Sequence, residues 1–275
     1  MRSRFAGQGE GQCNVNSARR WIIGLCGLAL ALAVAVAALP PLPEPPMFRG
    51  LADDRAFFGI ASFLNVISNA PFLLIGGWGL YFLARAGTRQ PGAFTDPLEK
   101  WPYACCFLAI ALVSAGSAYY HLRPDGARLM WDRLPMGLGF MSLLAAVVVE
   151  RVSAKAGLRL LLPLLLAGAG SVIYWRWSVL RGTENIFPYA AVQYGSIAAV
   201  LAIAVLFPSR YTRGNDIFGV VAIYAAAKAA EVLDAEIYAL GHVVSGHTLK
   251  HLLAALAAWW LLRMLQLRRP QYSPV

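Results

Sequence analysis

Apolar positions run through this chain in long unbroken blocks parted by short polar connections, and no strand-like alternation lasts long enough to compete. About 20 consecutive apolar residues make a membrane-spanning helix. Eight blocks approach or exceed that length, at roughly 21–40, 57–84, 101–121, 129–150, 158–175, 186–208, 217–240 and 246–265. The pattern predicts an all-α fold: a polytopic membrane helical bundle with a seven-helix core, residues 50–265, plus one N-terminal transmembrane helix. No internal repeat of fixed period is present. Residues 1–20 are polar and Gly-rich and are expected to be a disordered cytoplasmic tail, with a second cytoplasmic tail over 266–275. Between the first span and the core lies a Pro-rich linker, 41–49, within the stiff extended run from Leu39 to Pro46. The first span also reads as a secretory signal or signal anchor, since Ala33-x-Ala35 or Ala35-x-Ala37 resembles a cleavage site. Its apolar run is long for a signal, which favours an uncleaved helix. Either way the chain beyond Pro40 emerges on the far side of the membrane.

Composition sharpens this picture. The chain is 59% hydrophobic and 14% charged, against about 45–50% and about 25% for a soluble domain. A net charge of +10 raises the question of nucleic acid, but the placement of the charge answers it. With the N-terminus inside, fifteen of the 24 Lys and Arg residues fall in inner segments. Six (Arg49, Arg55, Arg123, Arg128, Arg176 and Arg181) fall in outer loops, and Arg133, Lys228 and Lys250 lie within spans. That is the positive-inside asymmetry. It predicts a plasma (inner) membrane protein with both termini cytoplasmic, and it excludes a nucleic-acid partner. Cys13, Cys26, Cys105 and Cys106 have no C-x-x-C spacing and imply no disulfide framework.

Against so apolar a background the ionisable residues are candidates for function. Three of the four histidines belong to two i, i+4 pairs, Ser117-x3-His121 and His247-x3-His251, and Asp132 opens the fourth span. Residues four apart share a helix face. The predicted topology brings His121, Asp132, His247 and His251 into the outer leaflet, although about 130 positions separate the first from the last. His121, His247 and His251 suit a catalytic zinc site, which takes three protein ligands and keeps one position open. Asp132 suits a base that orients or deprotonates water, and Ser117 a donor to a developing oxyanion. Together they point to hydrolysis of a lipid amide or ester.

Structural readings stand beside these. A His-x3-His pair can be a packed helix face, a lone Ser can bond a neighbouring backbone, and Asp132 can pair with Arg133. A metal-ion transporter would need ionisable groups through the whole bilayer depth, whereas these histidines cluster in one half. Lys228, Glu231 and Asp234 share a face of the seventh span; they read as a buried ion pair, a support for a histidine ligand, or a polar wall for a headgroup. Glu236 is expected near the surface and His242 in a loop rather than as a fourth ligand. Trp101, Trp131, Trp175, Trp177, Trp259 and Trp260 are expected as interfacial anchors.

The series Ser117-x3-His121-x10-Asp132-x2-Pro135-Met136, closed by His247-x3-His251, resembles the alkaline ceramidases. These belong to a superfamily of membrane hydrolases that includes the adiponectin-receptor-like proteins. The stretch from Phe63 to Asn69 resembles that family's first core helix, and the likeness covers roughly residues 50–265. It implies hydrolysis of the ceramide amide to a sphingoid base and a fatty acid. It also implies zinc on His121, His247 and His251, Asp132 activating water, and Ser117 as accessory donor. The alternative it allows is a receptor-like or accessory protein with bound zinc and little turnover. The chain departs from the family at two places. Asp53 and Asp54 are present, but Ser62 stands where a calcium-binding Glu is expected, which puts calcium in doubt. Lys250 replaces a usual aromatic residue, which bears on the substrate. Oligomeric state is not legible.

Overall fold

In hydrocarbon every backbone N–H and C=O must be satisfied within its own segment, so an apolar chain of this kind closes its hydrogen bonds as helices. The computed structural model describes residues 8–45, 50–89 and 92–271. Its helices are α1 (Gln8–Ala38), α2 (Phe63–Ile67), α3 (Ala70–Arg89), α4 (Lys100–Leu122), α5 (Gly126–Arg151) and α6 (Ala154–Leu180). They continue with α7 (Phe187–Leu206), α8 (Asp216–Val232), α9 (Asp234–Ala239) and α10 (Gly246–Leu267). Among the described residues there is no strand. Seven helical segments are long and apolar enough to cross a membrane, the make-up of a multi-pass membrane protein.

Two spans differ from the sequence expectation. The second begins at Phe63 rather than 57, because Phe58, Gly59 and Ser62 take positive φ and form a turn closed by the Phe57–Ile60 bridge. It is also divided at Ser68–Asn69. The seventh divides at Leu233 into α8 and α9, and α8 has only 17 residues, so it is not among the seven by length. In both cases polar side chains at the break bond to distant parts of the fold, as described below.

α4 packs between α3 and α5, α5 against α4, α6 and α7, and α10 against α8 and α3. One core joins Phe82, Tyr103, Phe107, Ala146 and Leu262 from α3, α4, α5 and α10. α1 meets only α7 among the long helices with substantial contact, and none of its apolar stretch is buried. It is a helix added to the outside of the bundle. It starts at Gln8, so residues 8–20 are helical where a disordered tail was expected: the long apolar stretch supplies the costly nucleus, and extension from it is cheap. Residues 1–7 of that tail, and 46–49 of the linker, lie outside the described residues.

The chain after α10, the start of the expected cytoplasmic tail, is docked as far as Gln271; residues 272–275 lie outside the described residues. Arg268 is 1% exposed. It donates to the Glu150 carboxylate at 2.9 Å and to the Ala93 carbonyl at 2.8 Å. Glu150 also accepts from Ser209 and Tyr103, and Glu99 accepts from Arg210, Thr95 and Tyr211. A buried charge needs a partner, and this network holds one end of the bundle shut. The candidate site lies at the other end. Cys26, Cys105 and Cys106 are free thiols.

Candidate metal centre

Three helix ends meet at the site. His121 closes α4, Asp132 lies in the second turn of α5 rather than its first, and His247 and His251 occupy the first two turns of α10. The approach of α4 to α5 depends on Gly116: a Cβ there would stand 2.2 Å from the Trp131 carbonyl oxygen. Gly246 plays the same part for α10, since its Cβ would meet the Ala230 carbonyl oxygen at 2.1 Å. The start of α10 is capped twice. Ser245 Oγ accepts from the Thr248 N–H at 3.1 Å, and Asp234 Oδ1 from the His247 N–H at 2.6 Å. Both satisfy backbone donors that a helix start leaves open, and they fix the direction in which the two imidazoles project.

The three imidazoles converge. Ring centroids are 4.8 Å apart for His121 and His247, 4.9 Å for His247 and His251, and 5.1 Å for His121 and His251. One nitrogen from each lies within 4.8 Å of the others. His121 Nε2 and His247 Nε2 are 3.2 Å apart. Two imidazoles bound at about 2.0–2.1 Å with tetrahedral angles would place their nitrogens about 3.3 Å apart, so the pair fits one small cation. His121 is fully buried and His251 3% exposed, and His121 Nδ1 and His251 Nε2 are buried without a hydrogen-bond partner. Buried nitrogens are rarely left so. The donor set is complete for a metal ion without help from any other residue.

One of the two tautomers of His251 suits a metal ligand. Ser68 Oγ lies 2.8 Å from His251 Nδ1 and 3.3 Å from the Asn65 carbonyl. With the hydroxyl donating to that carbonyl, Nδ1–H donates to Ser68 and Nε2 keeps its lone pair for the cluster, the usual arrangement behind a ligating histidine. Asn65, fully buried, accepts from Thr248 Oγ1 at 2.8 Å and donates to the Asp53 carbonyl at 2.9 Å. These bonds account for the break between α2 and α3.

Asp132 is 8% exposed. It lines a cavity of about 280 Å³ together with His247, Tyr120, Tyr189 and Met136. Ser117 is buried with its hydroxyl toward the Asp132 carboxylate, where it can orient that group. Asp132 does not pair with Arg133, whose guanidinium instead pairs with Glu44 of the Pro-rich segment.

The polar set of the seventh span resolves into two parts. Glu231 pairs with Lys228 and, at 2.9 Å, with Lys250. Lys250 Nζ in turn lies 2.9 Å from His247 Nε2, which links the ion pair to the histidines. Asp234 leaves that face: besides capping α10 it accepts from the Ala52 N–H at 2.8 Å, and turning to do so ends α8. Glu236 is exposed and His242 meets the Tyr238 ring edge to face in the loop, away from the cluster. Of the tryptophans, Trp175 is a correction: it is 2% exposed and lies beneath Arg133, while Trp101, Trp131, Trp177, Trp259 and Trp260 are exposed. At the calcium position, both Asp53 oxygens are engaged by the Arg55 guanidinium at 2.8 Å, and that bond holds the Asp53 carboxyl below its ordinary range.

Ser68, Asn65, Thr248 and Glu44 are the residues that sequence reasoning left without a role. Asn65, Ser68 and Asn69 stand at i, i+3 and i+4 in an apolar run, a polar helix face that marks the site in retrospect. Compared with protein-family models and with curated protein sequences, the chain matches none.

Proposed function

We propose that this protein is a zinc-dependent intramembrane hydrolase that cleaves the amide bond of ceramide or a related N-acyl lipid to a sphingoid base and a fatty acid. One observation carries the reading: three imidazoles converge, His121 and His251 buried with an unpartnered nitrogen each and His247 half-buried, beside a cavity lined by a buried carboxylate. The resemblance to the alkaline ceramidases in those same residues supplies the bond and the lipid class.

His121, His247 and His251 would hold the ion. Zinc, when bound in such a site, is a Lewis acid that polarises a carbonyl and makes water a nucleophile near neutral pH. Asp132 takes the proton from the attacking water and returns it to the leaving amine, as a general base and then acid. Ser117 holds that carboxylate in one orientation. The apolar cavity wall from Leu129, Met136 and Ile186 excludes bulk solvent, which strengthens each of these interactions. In this reading the enzyme sits in the plasma (inner) membrane with termini cytoplasmic and histidines on the opposite side, an orientation supported by the positive-inside asymmetry.

Purified full-length protein incubated with labelled ceramides, with and without chelator, tests this when fatty-acid release and metal content are measured together. Asp132→Asn is expected to retain the metal and to lose about 10²–10⁴-fold in turnover. Turnover that survives complete removal of metal would end the proposal. A second reading, a receptor-like or accessory protein that binds zinc with little turnover, is favoured by Lys250, whose ammonium lies against a ligand nitrogen. It predicts stoichiometric zinc and no product.

A further inference from the structure

We propose that Arg133 anchors an anionic group on the lipid amide, and that Glu44 occupies this anchor as an internal stand-in. The proposal rests on the hydrolase reading for the amide, but on the cavity alone for the anion.

Arg133 is 7% exposed. Its guanidinium lies 4.2 Å from the Trp175 ring centroid and 5.3 Å from that of Tyr189, both cation–π contacts. The two rings hold the planar group at the cavity wall, one residue along α5 from Asp132. Nη2 pairs with Glu44, while Nη1 is buried without a hydrogen-bond partner. Arginine is suited to grip an anion with two parallel bonds, and here half of that fork is free.

Glu44 arrives from outside the bundle. It belongs to the Pro-rich segment after α1, and Leu42 pins that segment to the start of α7. The Leu42 carbonyl accepts from the Ile186 N–H at 2.8 Å, and the Leu42 N–H donates to Asn185 Oδ1 at 3.2 Å. The carboxylate is thereby inserted among residues of α5, α7 and α8. The cavity lining carries three carboxylates (Glu44, Asp132, Glu231) against three fixed cations (Arg133, Lys228, Lys250). Without Glu44 the cations are in excess, before any metal adds its own charge. A ligand that displaces Glu44 must replace its negative charge, because a buried unpaired guanidinium is strongly unfavourable. The chemistry that fits is an N-acyl lipid with a carboxylate or phosphate near its amide. The carboxylate of an N-acyl amino acid is the direct analogue of Glu44.

The test is equilibrium binding to the full-length protein in detergent, independent of turnover. Two matched pairs serve as probes: N-palmitoylglycine against N-palmitoylethanolamine, and ceramide 1-phosphate against ceramide. The first pair reports a carboxylate, the second a phosphate. We expect at least one anionic probe to bind about tenfold or more tighter than its neutral partner, the span of one charge-assisted hydrogen bond. Arg133→Gln should abolish that preference, read as the ratio of affinities within each pair. Glu44→Gln should tighten the anionic probe and raise its thermal stabilisation of the protein. Arg133→Lys keeps the charge without the fork, and should retain part of the preference if the glutamine variant fails to fold. Equal binding within both pairs, a preference that survives Arg133→Gln, or no change in Glu44→Gln would each overturn the proposal. An anion preference without amide hydrolysis would sink the enzymatic reading and leave this one standing.

Discussion

At the scale of single residues, the site is built by side chains that direct other side chains. His251 could rotate about its own bonds, but its Nδ1 is hydrogen-bonded to Ser68 Oγ, which in turn reaches the Asn65 carbonyl. Removing the hydroxyl leaves the imidazole in place with its orientation and tautomer free. Ser68→Ala is therefore expected to weaken metal binding about 10–100-fold, measured by competition with a chromophoric chelator, while the helical circular dichroism stays unchanged. An unaltered affinity would show that packing against Phe72, 6.5 Å away, suffices to orient the ring. Asp53 invites a test of a different kind. Its carboxyl is held below the ordinary value of 3.8 chiefly by the Arg55 hydrogen bond. A carboxyl lowered on folding adds stability that is fully present above the unfolded value and is lost as pH falls through the folded one. The thermal midpoint of wild type should exceed that of Asp53→Asn at neutral pH, and the gap should close progressively below about pH 4. A gap independent of pH would assign the role of Asp53 to shape instead of charge.

Elements are positioned by how closely helices can approach and by where they break. Gly116 allows α5 to lie against α4 with the Trp131 carbonyl where a side chain would otherwise be. Gly116→Val must push the helices apart, at about 1–3 kcal/mol of strain. It should lower the thermal midpoint and, by separating His121 from Asp132, lower turnover more than stability alone explains. Chemical denaturation and activity measured on the same preparation separate the two effects. The helices themselves were legible because each apolar block must be a helix in lipid. His121, His247 and His251 were legible because i, i+4 spacing and alternating direction across the membrane carry them to one end. The breaks were not. Ser68 interrupts a continuous apolar block to meet a residue 183 positions away, and Asp234 ends α8 to cap another helix. Local pattern holds no record of such partners. Arg133 misled for the same reason: adjacency suggested Asp132, whereas the buried partner is Glu44, from a segment that reads as a mere spacer.

For the whole molecule, the decisive question is which side of the membrane the histidines face, and the two ends of the bundle are distinct enough to ask it. Residues 209–211 bond to Glu150 and Glu99 at one end, and His247 meets His121 at the other. The chain between them, α8 and α9, must therefore traverse the bundle although α8 alone is short. Counting that passage with the seven apolar helices among the described residues gives eight crossings, the number on which the proposed placement of both termini on one side depends. The proposed orientation takes that side, which carries the excess of Lys and Arg, as the cytoplasmic one. Lys155 at the start of α6 and Thr183 between α6 and α7 are both exposed and lie at opposite ends of one helix. In intact cells a membrane-impermeant maleimide should label Thr183→Cys, and should label Lys155→Cys only after permeabilisation. The converse result would turn the histidine end toward the cytoplasm. The lipid amide proposed as substrate would then have to come from the inner leaflet, even with every distance in the site unchanged.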